Sequence, residues 1–453
     1  DYATALYRSH KRDDARRLFA QIAQNPDAST ELKAAALYFL AELARDKDDR
    51  EAQADFIARL RTLAPQSSWL QEALFSAANM YMLKHDYEPA IRFYTEMYQS
   101  LPSGRWASYA HWRAAWFSYR LGKRDDARRL LDEQIERYPI SGEISAALYW
   151  RGRVAEDEDN APLARACYGK LTEKFHYFYY ANLARTRLAT LGPGDVAEAT
   201  MLTKLRGPAP VPQNWDAPSG NLRLQKAQLL ANAALSDFAI REMQAAASGS
   251  STWQAGAMAQ LYEDAGNYKN ALETLKRTVP TYFSAELNQL PRPVWEELFP
   301  RPYWADLKKH SADNQLDPYL VASLIRQESE FDPAAVSTAN ALGLMQLLPS
   351  VGRGLAKELK IKQYSQDDLF VAPINIGLGT HYFRHMVDHY NGQVEYALAA
   401  YNAGEDRVDD WRRNGSFKDV DEFVESIPFM QTREYVQAIM RNAVLYRLLY
   451  PKG

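Results

Sequence analysis

The octapeptide Lys11-Arg12-Asp13-Asp14-Ala15-Arg16-Arg17-Leu18 returns, residue for residue, as Lys123-Arg124-Asp125-Asp126-Ala127-Arg128-Arg129-Leu130. Self-similarity at a fixed period marks a repeat array. Aligned on Ala15, Ala52, Ala90, Ala127 and Ala164, the first part of the chain falls into units that step by 37, 38, 37 and 37 residues. Three units close on a proline about twelve residues after the alanine, at Pro65, Pro102 and Pro139, where a helix is made to stop. Each period therefore holds two helices. The small alanine marks their close approach, and Leu37, Leu40, Tyr81, Trp116 and Tyr149 supply bulk at helical spacing. The expected fold is all-α, opening with an α-solenoid of tetratricopeptide-like helical hairpins.

Working outward, the hairpins fill residues 1–190, and a run rich in Pro and Gly at 191–220 interrupts them. Helical pattern resumes through Ala239 and Ala271, a shorter step of 32, so that 221–300 reads as further hairpins and a linker. The prolines 291, 293, 300 and 302 mark a second boundary, and 301–453 is a different kind of sequence. The aromatic cluster Phe175 to Tyr180 reads as packing. With 54 basic and 57 acidic side chains and a net charge of −3 in 453 residues, the chain has no field that gathers phosphate backbones, which argues against nucleic acid as a partner. The single cysteine, Cys167, excludes an internal disulfide or thiolate cluster and reads as a small core side chain. No stretch approaches the roughly 20 apolar residues that span a bilayer. The chain begins at Asp1, as a mature or trimmed product would.

The chemistry is concentrated in the last 150 residues. Asp317-Pro318 combines an N-cap with a first-turn proline, so a helix starts here. Along it Val321, Leu324, Ile325 and Glu328 fall at i, i+3, i+4 and i+7, and the apolar stripe ends in a carboxylate. Desolvation and the negative end of the helix dipole both disfavour the ionised form there, which raises the pKa and makes a proton donor for a glycosidic oxygen. Taken alone, the same glutamate could be a buried partner of Arg326. Downstream come Glu328-Ser329-Glu330-Phe331, Ser337, Ala341-Leu342-Gly343-Leu344-Met345-Gln346, Asn375-Ile376, Ala400-Tyr401-Asn402-Ala403-Gly404 and Gln431-Thr432-Arg433-Glu434-Tyr435.

In this order and spacing, the Glu-Ser, Gly-Leu-Met-Gln and Ala-Tyr-Asn-Ala-Gly blocks resemble the soluble lytic transglycosylases. The close likeness runs from about Tyr303 to Tyr450, and the helical array is similar to that family's superhelical N-terminal region. The resemblance implies a lysozyme-like α-helical catalytic domain at 301–453. It implies cleavage of the β-1,4 bond between N-acetylmuramic acid and N-acetylglucosamine in peptidoglycan, with 1,6-anhydromuramyl products. Glu328 matches the family's catalytic acid/base. Ser337 and Gln346 match positions lining the cleft, Tyr401 the tyrosine that helps hold the N-acetyl group or the incipient intermediate, and Asn375 the asparagine of an Asn-Ile segment. Gln431 stands where many members carry glutamate, keeping hydrogen-bonding shape without charge. Tyr390, Tyr396, Trp411 and Tyr435 are candidates for stacking on sugars, though each taken singly reads as core rather than cleft, and Tyr435 joins the expected substrate-binding set. The implied partners are glycan strands and, along the solenoid, other cell-wall proteins; the implied compartment is the periplasm.

No second carboxylate pairs with Glu328 in sequence. Glu330 lies about 200° around a helix from it, and Asp332 falls beyond the expected helix end. His381, His385 and His389 recur at i, i+4 and i+8, but three rings on successive turns do not readily converge on one ion. They read as a solvated face, and no metal or cofactor is expected. A lysozyme-type hydrolase and a glycan-binding scaffold without turnover are the competing readings.

Overall fold

A computed structural model describes residues 1–246 and 251–451. The fold is all-α, with 24 α-helices and no named strand among the described residues; only isolated bridges join Val336 to Leu342 and Leu342 to Leu347. No described helix is long and apolar enough to cross a membrane. Two compact units divide the chain, one of Asp1–Leu171 and Ala184–Arg206, the other of Thr172–Leu183 and Gly207–Gly453.

In the first unit, sequential helices pack as hairpins from Tyr2–Arg8 and Arg12–Gln24 onward to Ile144–Asp157 and Ala161–Lys174. The link inside each hairpin passes through one left-handed residue: His10, Asp48, His85, Gly122 and Asp159, with φ between 56° and 70°. Short polar side chains and glycine tolerate that conformation best. These positions step by 38, 37, 37 and 37, and the residue five places later points inward each time. Ala15, Ala90, Ala127 and Ala164 are fully buried there, but in the second hairpin the inward position belongs to Gln53, and Ala52 is only half-buried beside it. The alignment on Ala52 is thus out by one residue, because an alanine adjacent to the true position masks the longer first step. Side chains Ser29, Asp49 and Ser67 accept from the third amide of their helices, Leu32, Ala52 and Leu70, and start them. Trp112, Trp116, Trp150, Tyr149 and Tyr168 fill the core and Cys167 is buried among them.

In the second unit, Phe175, Tyr179 and Tyr180 are buried, and the Phe178 ring meets Phe283 edge-on at 4.6 Å. The cluster is packing, as expected. Four hairpin helices, from Leu222–Asn232 to Tyr268–Thr278, precede the bundle of Trp304–Asp313, Pro318–Glu328, Pro349–Glu358, Ala372–His389, Val394–Ala403, Glu405–Asn414, Val420–Ser426 and Met430–Leu449. The last helix packs along Pro318–Glu328 and Val394–Ala403. This arrangement brings the sequence blocks together.

Candidate active site

The helix carrying Glu328 begins as its sequence dictates: the Asp317 carboxylate accepts from the Tyr319 amide at 2.9 Å, with Pro318 in the first turn. Val321, Leu324 and Ile325 are fully buried, so the stripe faces the core. The helix ends on Glu328, and Glu330 and Phe331 both take left-handed φ, 52° and 64°. Each such residue costs about 1 kcal/mol or more. Burial of Phe331 and an ion pair from Lys276 to Glu330 hold the reversal in place.

Past that reversal the neighbouring carboxylates have partners of their own. Glu330 turns to Lys276, Asp332 lies 3.8 Å from Lys269, and neither carboxylate joins Glu328. Arg326 turns the other way, donating to the Leu298 carbonyl at 2.9 Å and the Tyr282 hydroxyl at 3.0 Å. Among the described residues, the partner that favours the ionised form of Glu328 is Tyr435. The Tyr435 hydroxyl, on the last helix, donates to its Oε1 at 2.5 Å. Burial pushes the Glu328 carboxyl up to about 7, against the opposing pull of that hydrogen bond, while the residue keeps part of its surface open. Near neutrality such a group can both give and take a proton.

Tyr435 is 5% exposed, so its ring has little face to offer a sugar. Its ring is core, as it reads when taken singly, and its hydroxyl is placed beside Glu328 as a donor. Burial and the Glu328 charge hold the hydroxyls of Tyr435 and Tyr401 well above their usual range, keeping both protonated. Removing the Tyr435 donor takes away what favours ionised Glu328. Tyr435→Phe is therefore expected to move the alkaline limb of the pH–rate profile to higher pH. An unchanged limb would take Tyr435 out of this role.

Tyr401 donates to the Met345 carbonyl at 2.6 Å, and Ser329 to the Leu344 carbonyl at 2.8 Å. Both tie the Gly343–Leu347 loop to the region of Glu328. Beneath that loop lies Asn375, fully buried, receiving the Met345 amide at 2.8 Å and donating to the carbonyls of Leu342 at 3.1 Å and Leu369 at 2.7 Å. Its amide is spent on backbone, so it positions the loop and does not face a ligand, contrary to its place in the expected binding set. Gly343 is required at φ 75°, where a Cβ would stand 2.0 Å from the Leu369 carbonyl oxygen.

Gln346, also left-handed, donates its amide to the carbonyls of Ala335 and Gly343 at 3.2 and 2.9 Å, leaving its Oε1 outside these bonds. Ser337 closes the preceding turn, its Oγ accepting from the Ala341 amide at 2.9 Å, which leaves the hydroxyl proton outside that bond. Both are half-buried at the loop surface. Gln431 is exposed, one turn before Tyr435 on the same helix face. Thr432 next to it donates to Asn402 at 2.7 Å and joins the last helix to the one bearing Tyr401. Thr432 and Ser329 are absent from the expected site residues: they sit inside blocks visible in sequence, but their partners lie 30 and 15 residues away. Of the remaining aromatic candidates, Tyr390 and Trp411 are buried; Tyr396 packs on Phe423, ring centroids 4.1 Å apart.

Residues 307–424 match the family model described as Transglycosylase SLT domain. That stretch is similar to the SLT domain. Its bounds enclose Glu328, the Gly343–Gln346 loop, Asn375 and Tyr401, whereas Tyr435 and the last helix lie beyond them. The soluble lytic murein transglycosylase of Escherichia coli K12 is 34% identical over 154 residues, which are 34% of this chain and 24% of that protein. The shared region is thus about a quarter of that relative's length. Among solved structures, the lytic transglycosylase Slt of Pseudomonas aeruginosa, an inactive mutant, superposes with a TM-score of 0.67 at 24% identity, over 95% of this chain and 64% of that one. The 70-kDa soluble lytic transglycosylase in complex with bulgecin A gives 0.68 at 20%, over 97% and 66%. At these identities the likeness to the two structures is one of fold alone.

Proposed function

We propose that this protein is a peptidoglycan lytic transglycosylase in which Glu328 is the single acid/base. The observation that carries the reading is a solitary carboxyl, raised to about 7, hydrogen-bonded by Tyr435 and unaccompanied by the neighbouring carboxylates. Glu328 gives its proton to the bridging oxygen of N-acetylglucosamine as the bond to C1 of N-acetylmuramic acid breaks. The muramyl 6-hydroxyl then attacks C1, and its proton returns to the Glu328 carboxylate. A 1,6-anhydro ring forms, the enzyme is restored, and no water is consumed.

A two-carboxylate hydrolase needs a second acid about 5 to 9.5 Å from the first, as nucleophile or base; the substrate's own acetamido and hydroxyl groups fill those roles here. Ser337, Gln346 and Tyr401 are proposed to line the sugar subsites, with Gln431 at their rim. The helical array serves to hold long strands and to meet other cell-wall proteins. Action on peptidoglycan supports the periplasm as the compartment, given a double-membraned source. Mass spectrometry of purified peptidoglycan after digestion tests the reading. Anhydromuramyl ends, one water lighter than reducing ends, are expected; reducing ends alone would make the protein a hydrolase.

A further inference from the structure

The three histidines on the helix Ala372–His389 have different fates. His389 Nε2 meets the carboxylate of Asp409 at 3.2 Å. His381 Nε2 and His385 Nε2 converge instead on one atom, Glu358 Oε1, at 3.0 and 3.4 Å. Glu358 ends the helix Pro349–Glu358, so two helices supply three donor atoms that all lie within 4.8 Å of one another.

The hydrogen bonding behind His381 fixes its tautomer. Asn314 Nδ2 donates to the His310 carbonyl at 2.8 Å and to Thr380 Oγ1 at 3.1 Å, whose own proton goes to the Ile376 carbonyl at 2.7 Å. The Asn314 oxygen is thereby the atom that faces His381 Nδ1, at 3.3 Å, and Nδ1 carries the hydrogen. In the neutral ring Nε2 is then a lone pair aimed at a carboxylate oxygen. Two acceptors so close repel unless a positive centre lies between them. Orientation of a ligating imidazole through its other nitrogen is the usual support of a metal site. A tetrahedral zinc-type ion with bonds of 2.0 to 2.2 Å holds its donors about 3.3 to 3.6 Å apart; the two carboxylate–imidazole separations here are 3.0 and 3.4 Å, and all three donors lie within 4.8 Å.

We propose that Glu358, His381 and His385 bind a divalent transition ion of zinc type, with Asn314 orienting His381 and solvent completing the shell. The half-exposed side chains of Glu358 and His385 leave room for that solvent. The ion would clasp the helix that follows the Gly343–Leu347 loop to the helix that carries Asn375, without using any residue of the proposed active site.

The test is calorimetric titration of the EDTA-treated full chain, without a polyhistidine tag, with zinc chloride, and visible absorption with cobalt chloride. One equivalent of zinc and a tetrahedral cobalt band are expected. Glu358→Gln and His385→Ala should each weaken binding at least about tenfold, and Asn314→Ala by about ten- to a hundredfold. His389→Ala should leave it unchanged. Absence of binding, which would make the cluster a proton-bridged ion pair, or equal affinity in wild type and the Glu358 and His385 variants, overturns the proposal.

Discussion

Glu328→Gln is expected to reduce turnover on purified peptidoglycan by at least about 10³-fold, within the span that a positioned acid/base contributes, while glycan binding persists. The amide keeps the shape and cannot deliver a proton. The same substitution has a signed effect on stability. The folded carboxyl titrates near 7 and the ordinary one at 4.5, so as pH rises between these values the unfolded chain sheds its proton first and the wild type loses stability. The loss is complete above about pH 7 and amounts to at most about 3 kcal/mol. Glutamine escapes it. The melting temperatures of the two proteins should agree at pH 4 and separate in favour of the variant at pH 8. Retained activity, or a variant less stable than wild type at both pH values, would contradict the assignment of Glu328.

Asn375→Ala carries the second large effect, on stability. It strands the Met345 amide and the carbonyls of Leu342 and Leu369 in a buried setting, and each orphaned group costs about 1 to 3 kcal/mol. A loss of roughly 4 kcal/mol and a fall in melting temperature of about 10 °C are expected, measured by calorimetry. Activity of the folded fraction should fall as well, because the loop that Tyr401 grips through Met345 loses its floor. A change below 2 °C would show that the loop is held by other means.

Asn375 also marks the limit of what a sequence reading can see. Its place on an apolar helix face shows that it must find a partner, but the choice between glycan and backbone depends on where Leu342 and Leu369 fall in space. Tyr435 is similar: a helical aromatic near a motif block gives no hint that its hydroxyl reaches back 107 residues to Glu328. Local signals do better. The proline stops and the Asp317-Pro318 start each act within one or two turns, and each falls at the helix end it marks. The Ala52 register fails for a physical reason of the same kind: the left-handed link at Asp48 sets the phase, and aspartate carries no obvious mark of it. Of the histidines, spacing alone shows a shared face; the convergence on Glu358 requires a second helix.

The solitary, protonated carboxyl is tested most directly by a carbon-13 NMR titration of the Glu328 side chain, assigned by comparison with Glu328→Gln. A single step with a midpoint near 7, moved higher in Tyr435→Phe, is the predicted result. A midpoint near 4.5, or two coupled steps that reveal a second acid sharing the proton, would contradict it.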